Sequence, residues 1–126
     1  MARILIAEDE EALRALTARA LADAGHEVVT AIDGADALDI LTREQGRFDL
    51  LLTDIKMPLM DGIALALATA RDYPNITILL MTAYADQRER ASNLDALIHD
   101  VILKPFTLAE IKAAVNGALG AAKPKR

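Results

Sequence analysis

Short aliphatic runs alternate with amphipathic segments along nearly the whole chain, and that rhythm limits the possible folds more than any other feature. The runs are Arg3–Ala7, Glu27–Ala31, Phe48–Thr53, Thr77–Met81 and Val101–Leu103. Ile4-Leu5-Ile6, Leu50-Leu51-Leu52 and Ile78-Leu79-Leu80 are continuously apolar rather than alternating. Strands of that kind are buried on both faces, as in a parallel sheet. The segments between them have helical spacing. Leu13, Leu16, Ala20 and Leu21 share one face before Gly25 offers a stop. Asp33-Gly34 opens a second helix carrying Ala37, Leu38 and Leu41, and Asp61-Gly62 opens a third over Ile63–Arg71, closed by Tyr73-Pro74. Asp86 to Glu89 and Thr107 to Glu110 have the spacing of capping boxes, the second preceding a face of Leu108, Ile111, Val115 and Leu119. The expected fold is α/β, with five βα units in one parallel sheet and helices on both faces. One domain over residues 1–120 and a short tail over 121–126 account for the 126 residues.

Composition fits this layout and removes several functions. Of the residues counted as hydrophobic, 25 are Ala, so the core must come from Ile, Leu and Val, with Ala-rich helices laid against it. Cysteine is absent, which excludes disulfides and thiolate metal sites. The net charge of −5 and the four aromatic side chains argue against nucleic acid as the partner. No run is long enough to span a membrane, and the N-terminus lacks a signal-peptide layout, so a cytoplasmic protein is expected.

Strands joined by helices run parallel with right-handed crossovers, which gathers their C-terminal ends at one edge, where such sheets bind ligands. Glu8 and Asp9 follow the first run, Asp54 the third, Thr82 the fourth and Lys104 the fifth. Three carboxylates in one crevice resist ionisation unless a cation joins them, and oxygen-only donors suit Mg²⁺ or Mn²⁺. A carboxylate nucleophile beside a hard cation, an ammonium and a hydroxyl is a set for phosphoryl transfer.

With Glu8-Asp9, the string from Leu51 to Gly62 (D-x-x-M-P-x-M-D-G from Asp54), Thr82-Ala83 and Lys104-Pro105-Phe106, the sequence resembles the response-regulator receiver domain across residues 3–119. The resemblance implies a flavodoxin-like (βα)5 fold with strand order 2-1-3-4-5. It implies that Asp54 accepts a phosphoryl group from a histidine kinase or phosphotransfer protein. Asp9 would ligate Mg²⁺, Glu8 would act through a water, and the Lys56 backbone carbonyl would supply a further ligand, leaving its side chain free to vary. Thr82 and Lys104 would each engage a phosphoryl oxygen, and the bond before Pro105 would be cis.

Two positions depart from the family pattern. Val101 stands where Tyr or Phe usually serves as a rotating switch, and Tyr84 stands at the lip of the site. Tyr84 is therefore expected either to shield the acyl phosphate in part and take over part of the switching, or to be a partly exposed loop aromatic. No output domain is expected after Leu119, so the signal would leave through the surface of residues 86–119, from a monomer or weak dimer, to a downstream protein. The opening residues and Ala83–Ala91 also resemble single-domain receivers of the CpdR type, which help deliver substrates to a protease. Two other functions compete with this reading. An aspartate-nucleophile phosphatase would need a second Asp two residues after Asp54, where Lys56 stands. A phosphorylation-independent pseudo-receiver would not need the full set of site residues.

Overall fold

A computed structural model describes residues 1–121. Its elements run β1 (Arg3–Ala7), α1 (Glu11–Asp23), β2 (Glu27–Ala31), α2 (Gly34–Arg43), β3 (Leu50–Asp54), α3 (Gly62–Asp72), β4 (Thr77–Thr82), α4 (Ala85–Ser92), β5 (Asp100–Leu103) and α5 (Leu108–Ala121). The five strands form one parallel sheet in the order β2-β1-β3-β4-β5. Both the fold and the strand order are those the sequence implied. The expected tail begins at Ala121, which closes α5; its remaining residues, 122–126, lie outside the described ones.

Side chains alternate across each strand, so the continuous apolar runs feed two cores. Ile4 and Ile6 join Leu50, Leu52, Leu79 and Met81 beneath Leu21 of α1 and Ile111 and Val115 of α5. Leu5 and Leu51 face the other way, against Ile40 and Leu41 of α2 and Leu65 of α3. On that same face, Ile78 and Leu80 pack with Ala66 of α3 and Ala91 of α4.

Local signals explain most helix ends. α1 closes on Gly25 at φ 97°, with the His26 N–H donating to the Leu21 carbonyl and the Gly25 N–H to that of Ala22. The Asp33 and Asp61 carboxylates accept from the Asp36 and Ala64 N–H groups at 2.8 Å each. Thr107 and Glu110 exchange reciprocal bonds of 2.8 and 3.0 Å, completing the expected capping box.

The expected box at Asp86 does not form. α4 starts two residues earlier than a cap at Asp86 would set, with Tyr84 as an N-cap that offers no side-chain bond, so Asp86 lies inside the first turn. Leu16 and Leu108 also leave their expected faces, being 53% and 42% exposed, while Thr17 and Ala118 take the buried positions. His26 is half-buried, and its Nδ1 accepts the Ala2 N–H at 3.1 Å. β3 starts at Leu50 rather than Phe48 because ladder pairing with β1 begins only at the Ile4–Leu50 pair. Asp54 and Thr82 are the last residues of their strands, paired in register with Met81 and Leu103, so the ladder holds their backbones.

Candidate functional site

The C-terminal ends of β1, β3, β4 and β5 surround a cleft of about 590 Å³ lined by Glu8, Asp9, Asp54, Lys56, Tyr84 and Lys104 among others. Glu8 is almost fully buried, Asp54 nearly so, and Asp9 is exposed. One carboxylate oxygen from each of the three lies within 4.8 Å of the others. The Lys104 ammonium reaches between two of them, 2.7 Å from Glu8 Oε1 and 3.1 Å from Asp54 Oδ2. The Lys104–Pro105 bond that precedes α5 is cis, as the resemblance implied.

The electrostatics follow from burial. Desolvation raises the pKa of Glu8, partly countered by its hydrogen bond from Lys104. Desolvation also raises Asp54, with the Asp9 charge adding to it and Lys104 opposing. For Lys104, burial works against the charge, but the bonds and attraction from Glu8 and Asp54 outweigh it and hold the ammonium above its ordinary range. The cleft is thus short of positive charge. Three converging oxygen donors and one lysine fit a hard divalent cation by the chemistry of the donor set. Glu8, Asp9 and Asp54 are the groups that could hold it.

This arrangement has a consequence for stability. Without metal, a carboxyl whose folded pKa is raised is penalised once it ionises, and the penalty vanishes below the ordinary carboxylate pKa of about 4. Asp54→Asn should therefore raise the melting temperature at neutral pH in a chelator. The gap over wild type should close as pH falls through the carboxylate range. Melting curves from pH 8 to 4 check it; a gap that widens in acid would contradict the assigned direction.

Thr82 is fully buried and does not line the cleft; its Oγ1 accepts the Tyr84 N–H at 3.1 Å. Tyr84 is 48% exposed at the lip, and Val101 is half-buried, packed against the cluster of Ile55, Ala66, Ile78, Leu80, Ala91 and Ile98. Three features escaped the sequence. Arg14 donates to the Glu8 carbonyl at 3.0 Å and so holds the loop that carries both acids. The Lys56 side chain is engaged, with its Nζ 5.0 Å from the Tyr84 ring centroid. Gly62 has no room for a side chain, since a Cβ there would overlap the Asp54 carbonyl, whereas its motif signalled only a helix start.

The profile of the family described as "Response regulator receiver domain" matches residues 4–116. The chain belongs to the response regulator receiver domain family. This receiver is 34% identical over 117 residues to the transcriptional regulatory protein PrrA of Mycobacterium tuberculosis, covering 93% of the chain and 49% of PrrA. It is 35% identical over 123 residues to the response regulator MprA of Mycobacterium avium, covering 98% and 53%. The receiver thus spans about half the length of those relatives. Among solved structures, it resembles a receiver domain protein from Clostridium thermocellum with a TM-score of 0.85 at 25% identity, covering 95% of each chain. It also resembles TrrA of Thermotoga maritima, solved in complex with Mg²⁺–BeF, with a TM-score of 0.82 at 31% identity, covering 94% and 99%. Among the described residues, no helix is long and apolar enough to cross a membrane.

Proposed function

We propose that Asp54 is the phosphoacceptor of a two-component phosphorelay and that its modification switches a protein-binding surface. The observation carrying this is the Lys104 ammonium between Glu8 and Asp54 in an open cleft with Asp9 at its edge. In the transfer, an Asp54 carboxylate oxygen forms a bond to phosphorus as the P–N bond of the donor phosphohistidine breaks. The electron pair of that bond returns to the imidazole nitrogen, which takes up a proton from water. Lys104 is placed to face the phosphoryl oxygens. When bound, Mg²⁺ (or Mn²⁺) supplies the positive charge that lets three carboxylates and a phosphoryl group share the cleft. Thr82 turns its hydroxyl from the Tyr84 amide toward a phosphoryl oxygen, and Tyr84 covers the acyl phosphate.

The chain acts as a switch rather than a turnover enzyme, because Lys56 stands where a phosphatase of this chemistry needs an acid. Output leaves through residues 86–119, where Leu97, Leu103 and Leu108 are 42–44% exposed. A downstream protein in the cytoplasm, bound by a monomer or weak dimer of the receiver, is the partner; an adaptor role in proteolysis is the specific form the CpdR-type resemblance supports. Incubation with a small phosphodonor tests the reading. Wild type should take up one phosphoryl group with Mg²⁺ and none in a chelator, and metal-independent uptake would refute it. In the same assay Tyr84→Ala should shorten the phosphoryl half-life several-fold; an unchanged half-life removes the shielding role.

A further inference from the structure

A receiver with Val101 at the usual aromatic position lacks the side chain expected to carry the signal from the cleft to the output face. Val101 itself is a half-buried aliphatic packed against the cluster that includes Ala91, with no ring to rotate. The one aromatic at the cleft is Tyr84, and its position is mechanically favourable. Its carbonyl accepts the Arg88 N–H at 3.2 Å, the first turn of α4, and its own N–H is held by Thr82. α4 is eight residues long, has no side-chain N-cap, and buries only Ala91. Whatever moves Tyr84 therefore moves the start of a lightly anchored helix.

The Lys56 ammonium, two residues beyond Asp54, lies over the Tyr84 ring at 5.0 Å from its centroid. Both side chains are solvent-exposed, so this cation–π contact is of the weak, exchangeable kind. A phosphoryl group on Asp54 would put concentrated negative charge in the cleft that the same lysine lines, and a charge-assisted bond outcompetes an exposed ring face. We propose that the Lys56–Tyr84 pair is the switch element of this chain: on phosphorylation the ammonium leaves the ring for the phosphoryl oxygens, and the freed Tyr84 lets the start of α4 rearrange. The inference rests on Asp54 being the phosphoacceptor. It gives Lys56 a positioning role through its side chain, separate from any role of its carbonyl.

Amide and side-chain NMR of the full chain, with beryllofluoride and Mg²⁺ as the probe, tests it. In the free wild type the Lys56 ε-methylene protons should be shifted upfield by the Tyr84 ring, and that shift should vanish when the probe is added. The Asp9, Asp54 and Lys104 amides should move in wild type, and also in Lys56→Met and Tyr84→Leu once the probe is raised to the concentration that saturates each variant. The amides of residues 84–92 should move in wild type and in Lys56→Arg but lose that response in Lys56→Met and Tyr84→Leu. A full α4 response in Lys56→Met, or an upfield shift that survives the probe, overturns the switch while leaving the phosphoacceptor intact. No response at the Asp54 amide in wild type overturns the phosphoacceptor reading and the switch with it.

Discussion

Asp54→Asn is expected to lose phosphoryl uptake by about three orders of magnitude or more, the scale of removing a nucleophile. The amide nearly matches the carboxylate in shape and still accepts a hydrogen bond from Lys104, which lies 3.1 Å away in the wild type. It lacks the charged oxygen that must bond to phosphorus. Misfolding cannot account for the loss, because the same change relieves a buried carboxyl whose pKa burial has already raised. The variant should be inactive and at least as stable as wild type. Asp9→Asn offers a contrast: Asp9 is exposed and does not touch Lys104 within ion-pair distance, so its loss should weaken uptake through the divalent cation and be partly recovered at high Mg²⁺. Uptake measured by intact mass, alongside melting curves, separates the two effects.

Gly62→Ala should be among the most damaging single methyls in the described chain. A Cβ at this position meets the Asp54 carbonyl and the adjoining Ile55 Cα, atoms of one backbone peptide unit with no flexible side chain to give way. The Gly62 N–H also donates to the Ile55 carbonyl at 2.7 Å, tying the start of α3 to the end of β3. Overpacking in a close-packed interior costs about 1–3 kcal/mol, and a clash between backbones belongs at or beyond the upper end. The methyl would also displace the Asp54 backbone, so uptake should fall with stability. Gly117→Ala is the control. It lies in α5 with nothing within 4 Å of its added Cβ, and a helical Gly→Ala there should gain about 0.5–1 kcal/mol. Urea titrations of both variants fix the two signs.

The sheet was legible because the code for it is local. Continuous apolar triplets, D-G helix starts and the Thr107–Glu110 box each express chemistry within a few residues. The site was legible for a related reason: parallel connectivity brings the strand ends together wherever the helices fall. What the sequence hid depends on packing between distant segments. Leu16 reads as core by spacing, yet Thr17 takes the place against the sheet. Asp86 is the right residue type for a cap, but the backbone that leaves β4 through Tyr84 starts α4 two residues earlier. The Lys56–Tyr84 contact joins two loops, and no one-dimensional pattern marks it. Gly62 was visible as a turn former, while the reason it must be glycine lies in the Asp54 carbonyl pressed against it.

The central claim is that Asp54, and no other carboxylate in the cleft, carries the phosphoryl group. Peptide mapping of the wild-type chain by mass spectrometry, after phosphodonor treatment with Mg²⁺ and reductive trapping of the acyl phosphate, tests it most directly. The modification should fall on Asp54 alone; a label on Glu8, Asp9 or any histidine, with Asp54 unmodified, would contradict the account.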